Sequence, residues 1–463
     1  MRMCNCDQGI PLSFLDKNRF LCVAAGISIL LLLSLPSLSQ DSGSTNSTPL
    51  PVTVFGGGER TRLSYLGDHS PQNILLMTTG YEAAYDDNPL GQGPGKQADE
   101  EQSFANHVSA LHQSPRMNAD IDYQSSLQYF HHDSQFNRLN QTLTADEELT
   151  FNSSLSLRIR DDLVDQKGLY APLSNVYTSS EIGAPTALNS TIYTPLNNVR
   201  SNTARADVLT QMSVRRSLDI FAAYATRTFT QEGTPSYGTT TQSAGAEYVW
   251  RANEHGSFGM LGAYERIALN GSLLEGSASS LQSGTFLPTV GWKLRPTLEV
   301  NLYAGPQWIR QVESNAPVQN AGSPTSQMEW SAGGGLDRVG RWLSAMLSAE
   351  HAVTDGGGLL SFVTKSAISA GVRKRIGGAW DLTIDCGLAR NRSLSPDQIS
   401  AWLTEQSGRA IITRPIGRKM ALNVEYEYLE QTPHGDINLG SGFHRNRIAT
   451  SLAWNWGAIR MGH

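Results

Sequence analysis

The chain has 463 residues, 17% of them charged, with 43 Gly and a formal net charge of −6. That charge fraction is low beside the roughly 25% of an ordinary soluble domain, and its acidic sign leaves no basic surface for nucleic acid. The length allows several globular domains or one large closed sheet.

Arg2, Lys17 and Arg19 precede an apolar run from Leu21 to Leu35, which is shorter than the about 20 residues a membrane helix needs. That pattern predicts a signal peptide over residues 1–39, cleaved before Gln40, with Ser37 and Ser39 flanking Leu38. Export removes those three basic groups with Asp7 and Asp16, leaving −7. Cys4, Cys6 and Cys22 leave too, so Cys386 is the one thiol of the mature chain and an intramolecular disulfide is excluded. Residues 40–72 are rich in Ser, Thr, Gly and Pro without a sustained period. They read as a linker or plug-like tail.

Beyond it no run of about eighteen apolar residues occurs, so no membrane helix is expected. Period two recurs instead. Ile121, Tyr123, Leu127 and Tyr129 alternate with Asp122, Gln124 and Gln128, and Leu155, Leu157 and Ile159 alternate with Ser156, Arg158 and Arg160. The same pattern carries Val208 to Val214, Leu298 to Leu302, Leu422 to Tyr428 and Ile448 to Trp456. Each segment is about ten residues, the length of a tilted strand crossing a bilayer.

Short, often basic turns at 114–116, 215–217, 253–256, 295–297, 339–341, 376–379 and 416–418 interleave with polar loops at 87–101, 164–202, 230–240, 268–280, 312–325, 391–407 and 432–442. Short inner turns with long outer loops are the pattern of an outer-membrane barrel. The expected fold is therefore all-β: an antiparallel transmembrane β-barrel of about 18 strands, within 16 to 18, over residues 73–457, with 458–463 as a C-terminal extension. Two features strain this register. Asn140 to Phe151 is nearly all polar, and Pro288, Pro306 and Pro415 fall inside strands, which calls for bulges or strand ends there. The stretch SPDQISAWLTEQSG in loop 391–407 predicts a short helix capped by Ser395 or Asp397.

Aromatics such as Tyr81, Tyr85, Trp250, Trp292, Trp330, Trp342, Trp380, Trp454 and Trp456 lie near segment ends, as interfacial girdles do. A secreted soluble β-protein also alternates, but gives no reason for that placement. The inward positions carry Asp122, Arg158, Arg160, Arg227, Glu265, Lys293, Glu299, Glu350, Arg373, Asp381, Asp385, Glu425, Glu427 and Arg447. These are the candidate pore-lining residues, and they predict a wet lumen of mixed charge in which each either sets the field or braces its neighbour. The scattered histidines match no nucleophile elbow or metal-ligand spacing, and the glycine runs at 56–58, 333–335 and 356–358 lack the Lys-Ser/Thr of a phosphate loop. No enzyme, cofactor or metal is expected. The glycines fit tight loops or strand kinks. Asp86, Asp87 and Asn88 have the oxygens for Ca²⁺ but read better as a solvated loop.

The segment GYEAAYDDNPLG at 80–91, and the repeated strand, basic turn, strand unit ending in TSLAWNWG, resemble the β-barrel porins and related outer-membrane barrels of Gram-negative bacteria, some associated with exopolysaccharide systems. The chain departs from the usual barrel ending because GAIRMGH follows Trp456. The resemblance implies outer-membrane lipids and the barrel-assembly machinery as partners and passive diffusion of hydrophilic solutes as the activity. Polysaccharide export, or surface interaction through loop 164–202, is the alternative.

Overall fold

A computed structural model describes residues 72–460, apart from 168–191, 193–197, 231–236, 271–279, 313–324, 395–400, 436–441 and isolated positions in other connections. The expected signal peptide and nearly all of the tail 40–72 lie outside the described residues. Eighteen strands follow in order: β1 (Gln72–Asp86), β2 (Asp99–Gln113), β3 (Met117–Phe130), β4 (Arg138–Asn152), β5 (Leu155–Lys167) and β6 (Asn198–Ser213). Then come β7 (Arg216–Thr230), β8 (Tyr237–Arg251), β9 (Gly256–Asn270), β10 (Ser280–Arg295), β11 (Leu298–Val312) and β12 (Thr325–Arg338). The last six are β13 (Leu343–Asp355), β14 (Phe362–Ile376), β15 (Trp380–Ser393), β16 (Trp402–Ile416), β17 (Met420–His434) and β18 (Phe443–Arg460).

Every strand pairs antiparallel with its sequence neighbours, and β1 with β18 closes the sheet, so no edge is left over at the seam between the termini. The short-turn rim carries the connections 114–116, 153–154, 214–215, 252–255, 296–297, 339–342, 377–379 and 417–419, and both ends of the described chain. The long-loop rim carries the rest. The strands run 13 to 18 residues, longer than the alternation alone suggests, because the ladders continue past the bilayer thickness toward the loop rim. For that reason the outer loops are shorter than expected: 164–202 contracts to 168–197 and 391–407 to 394–401.

Three local expectations are corrected. Residues 402–407 are the start of β16 rather than a helix, and the proposed cap lies outside the described residues. The barrel does not stop at 457: Gly457 takes a positive φ of 90° at a bulge, and Ala458, Ile459 and Arg460 go on to pair with Leu76, Leu75 and Ile74. The polar segment 140–151 lies within β4, with Asn140, Thr142, Thr144 and Asp146 as its interior set and an irregularity only at its end, between Thr150 and Asn152. The prolines fall where donors are dispensable. The β10–β11 ladder lapses between the pairs Thr285↔Gln307 and Thr289↔Tyr303, and Pro288 and Pro306 both sit in that gap. Pro415 lies one residue from the end of β16.

The exterior is apolar and aromatic. Trp250, Trp292, Trp342, Trp380, Trp454 and Trp456 are exposed around the short-turn half, and Tyr85, Tyr129, Tyr264, Trp308, Trp330 and Tyr426 around the other. Between these belts Ile220, Met260, Leu302, Ile384 and Val424 are exposed. Alternate residues on the same strands, such as Glu82, Ser243, Thr289, Asn423 and Ser451, are buried, which places them inside.

Candidate functional site

The interior has two unlike walls. On β15 to β18 and β1 to β3 the inward positions are charged and linked. Arg409 Nε donates to Glu425 at 2.7 Å and lies 3.6 Å from Glu427, while Arg447 lies 3.7 Å from Glu427 and 3.3 Å from Glu101 and also pairs with Glu82. Arg445 pairs with Asp86 nearer the loop rim, and Gln128 Nε2 donates to Glu101 at 2.6 Å. The ladder register brings these together: Glu427 stands opposite both Arg409 and Arg447, so a carboxylate on β17 is flanked by a guanidinium on either side. Buried to this degree, each charge needs its partners, because an isolated buried ion is expensive.

The facing wall, on β7 and β9 to β11, carries two apolar clusters. Phe221, Leu261 and Leu287 pack together, and Ile267, Leu281 and Ile309 form a second group nearer the loop rim. In β9 both alternating sets are largely apolar, as in strands covered on two sides.

What covers that wall is the outer part of the β13–β14 hairpin. The β12–β13 ladder ends at Ala332↔His351, although both strands continue, whereas β13 and β14 stay paired to Asp355↔Phe362. Past the divergence β13 crosses the interior. Val353 and Phe362 pack on Ile267, Leu281 and Ile309. Val353 N donates to Gln307 Oε1 at 3.3 Å, and Thr239 Oγ1 on β8 donates to Asp355 Oδ2 at 3.1 Å. The hairpin's other face carries Leu360 and Val363, which pack on Leu403 of β16 and on Ile192. The hairpin thus bridges the apolar wall and β16. At its tip Gly357 has φ +59°, and a Cβ there would come 2.7 Å from the Ile192 side chain, so this position needs glycine.

The sequence candidates distribute around these features. Glu425, Glu427 and Arg447 meet in the charged ladder, and Asp385 stands in register with Arg409. Arg158 and Arg160 share Asp146, at 2.6 and 3.4 Å. Asp122 lies 2.5 Å from His107, and Glu350 lies 2.8 Å from Lys365. Lys293 faces Glu299 across the β10–β11 ladder, Arg373 is in register with Ser344 and Thr383, and Arg375 pairs with Asp381 at 3.2 Å. Glu265 is buried and Arg227 partly buried beneath the hairpin, Arg227 being 3.9 Å from Asp355. Sequence reasoning missed Glu82, Glu101, Arg409, Arg445 and Asp355. The first four lie on the interior period-two sets of β1, β2, β16 and β18, so carrying the alternation through the whole of those strands would have found them.

Asp86, Asp87 and Asn88 form a strap between β1 and β18 rather than the expected solvated loop, with Asp86 and Asn88 almost wholly buried. Asn446 N donates to Asp87 Oδ1 at 2.7 Å, Lys96 Nζ to Asp87 Oδ2 at 3.1 Å, and Asn88 Nδ2 to the His444 carbonyl at 2.9 Å. Burial pushes the Asp87 carboxyl up, but the Asn446 and Lys96 donors outweigh it and hold the carboxyl below its ordinary value.

A closed antiparallel wall with an apolar band between two aromatic belts, and polar groups turned inward, is fit only for lipid outside and protein or water inside. The chain is an outer-membrane β-barrel. No protein-family model matches it, and no curated protein is recognisably similar. Among solved structures it is similar to Pseudomonas aeruginosa OccK2 (OpdF), with 11% identity over 83% of this chain and 98% of that one at a TM-score of 0.42. It is also similar to the outer membrane protein OpdK of the same organism, with 12% identity over 84% and 99% at 0.41. The iron transporter FrpB of Neisseria meningitidis is similar at 7% identity over 82% and 81%, with a TM-score of 0.40. Barrels of this form carry different activities, so function is read from this outer-membrane barrel's own interior.

Proposed function

We propose that the chain is a channel for small hydrophilic solutes and ions, passing them beside the charged wall and favouring cations. The observation that carries this reading is the Arg409, Glu425, Glu427, Arg447, Glu82 and Glu101 ladder. Carboxylates outnumber guanidiniums there, and Asp385 beside Arg409 adds to the excess. A wall that bears more negative than positive charge attracts cations into the lumen. Strand number supports the reading, since about sixteen to eighteen strands enclose more space than side chains fill.

Purified protein in a planar bilayer under a salt gradient tests it. Ohmic steps with a reversal potential on the cation side are expected. Folded protein that passes neither ions in bilayers nor small polar solutes in liposomes overturns the reading. Polysaccharide export and loop-mediated adhesion have no specific support in the described residues.

A further inference from the structure

The seam between β12 and β13 is laddered only from Ala332↔His351 to Arg338↔Ala345. Above it, β12 residues 325–331 pair with β11 on one side and with no strand on the other among the described residues. Met328 and Trp330 in this stretch are 57% and 60% exposed on the lipid side, so the open edge begins in the wall itself. Backbone groups at such an edge need partners wherever lipid is the surrounding medium. A strand whose register fits this edge is present in the chain. Continuing the register of the seam places Ala352 beside Ser331, Val353 beside Trp330 and Thr354 beside Glu329.

The side-chain facing agrees with that continuation. Val353 falls on the alternating set of β13 that includes the outward-facing Leu347 and Ala349, and it would stand beside outward Trp330. Phe362 falls on the corresponding outward set of β14. Both now occupy the apolar interior wall instead. The Val353 and Phe362 side chains suit either place, because lipid tails are as apolar as the Ile267, Leu281 and Ile309 side chains, whereas Asp355, the last residue of β13 on the same alternating set, would exchange its Thr239 partner for the loop rim. Gly356 and Gly357 stand at the hairpin tip, and Gly333, Gly334 and Gly335 lie on β12 beside the divergence, where Gly333 and Gly334 admit the close approach of β11 and β13.

We propose that the outer β13–β14 hairpin is a gate with two seats: docked across the lumen as seen here, and swung outward to complete the β12–β13 wall. Docking covers Ile267, Leu281 and Ile309, uses Gln307 and Thr239 as polar anchors, and narrows the loop-rim mouth. Seating in the wall satisfies the edge of β12 and clears the mouth. Packed, laddered elements have such discrete alternatives rather than a continuum. This rests on the channel reading above for its effect on current, but the movement can be read without current.

Two cysteine pairs in a Cys386→Ser background separate the seats. Gln307→Cys with Val353→Cys bridges the docked hairpin, and Glu329→Cys with Thr354→Cys bridges the wall-seated one. After oxidation in membranes, both bridges are expected on a non-reducing gel. In a bilayer the Glu329→Cys/Thr354→Cys bridge should raise conductance severalfold and release it on reduction, while the Gln307→Cys/Val353→Cys bridge should hold conductance at or below the starting level. Formation of the docked bridge alone overturns the proposal, as does a wall bridge with unchanged current. Failure of both bridges in folded protein contradicts the docked seat itself. If both bridges form but neither protein conducts, the hairpin moves and it is the channel reading that fails.

Discussion

Asp355, at the end of β13, accepts a hydrogen bond from Thr239 of β8 at 3.1 Å, with β9 to β12 lying between the two strands in the wall. This bond spans the interior, and both residues are almost wholly buried. Thr239→Val removes one partner of a buried carboxylate and should weaken docking by about 1–3 kcal/mol, the usual cost of depriving a buried acceptor. The expected readout is a larger open fraction in single-channel records, with the melting profile of the barrel little changed. An unchanged open fraction removes Thr239 from the account.

Arg447 and Arg200 offer a contrast in stability. Arg447 is buried among Glu82, Glu101 and Glu427, whereas Arg200 pairs with Asp165 at 3.3 Å near the loop rim with 71% of its side chain exposed. Arg447→Ala leaves several carboxylates facing one another and should cost about 3–5 kcal/mol. Arg200→Ala should cost about 0–1 kcal/mol. The loss of heat-modifiable mobility with rising urea measures both, and equal midpoints for the two variants would contradict the ladder's bracing role.

Arg158 and Arg160 both point at Asp146 on the inner face of β4 and β5. Replacing both with Gln removes two positive charges and leaves that carboxylate uncompensated by them. Ion preference should move further toward cations. Leu155→Ser and Leu157→Ser lie on the lipid side of the same strand and should lower stability without moving the reversal potential. A shift from the leucine variants, or none from the arginine pair, contradicts the assignment of faces.

Much of this architecture was legible in the sequence because a barrel wall is written locally. Alternation in Ile121 to Tyr129 or Leu422 to Tyr428 reports its own two faces, and short turns such as 215–217 report which end is which. The hairpin was not legible. Val353 and Phe362 obey the same alternation whether they face lipid or cross the lumen, since the decision lies in contacts with Gln307 and Ile309, far away in sequence. A hint existed in β9, where Phe258, Met260 and Tyr264 on one face alternate with Leu261, Ala263 and Ile267 on the other, leaving little polar surface for water on either side. The glycine runs at 333–335 and 356–358 marked places of bending, without saying which way the chain bends.

The strap at the top of β1 should respond to acid. The Asp87 carboxyl is held below its ordinary value of 3.8 in the fold. A lowered folded value means that its contribution is complete above the unfolded carboxylate range and is lost as pH falls through the folded value. Protease cleavage between residues 87 and 98 should therefore stay slow from neutral pH down to about 4 and accelerate below it. Asp87→Asn should be cleaved faster already at neutral pH, and an unaltered rate there would show that the strap does not hold the loop.

The most direct test of the central claim, that this barrel encloses a cation-favouring path beside its charged wall, is the reversal potential of the purified protein in a planar bilayer under a KCl gradient. The account predicts discrete ohmic steps that reverse toward the potassium potential, and a further displacement in the same direction for the Arg158→Gln/Arg160→Gln variant. Steps that reverse toward the chloride potential, or a silent bilayer from heat-modifiable, folded protein, would contradict it.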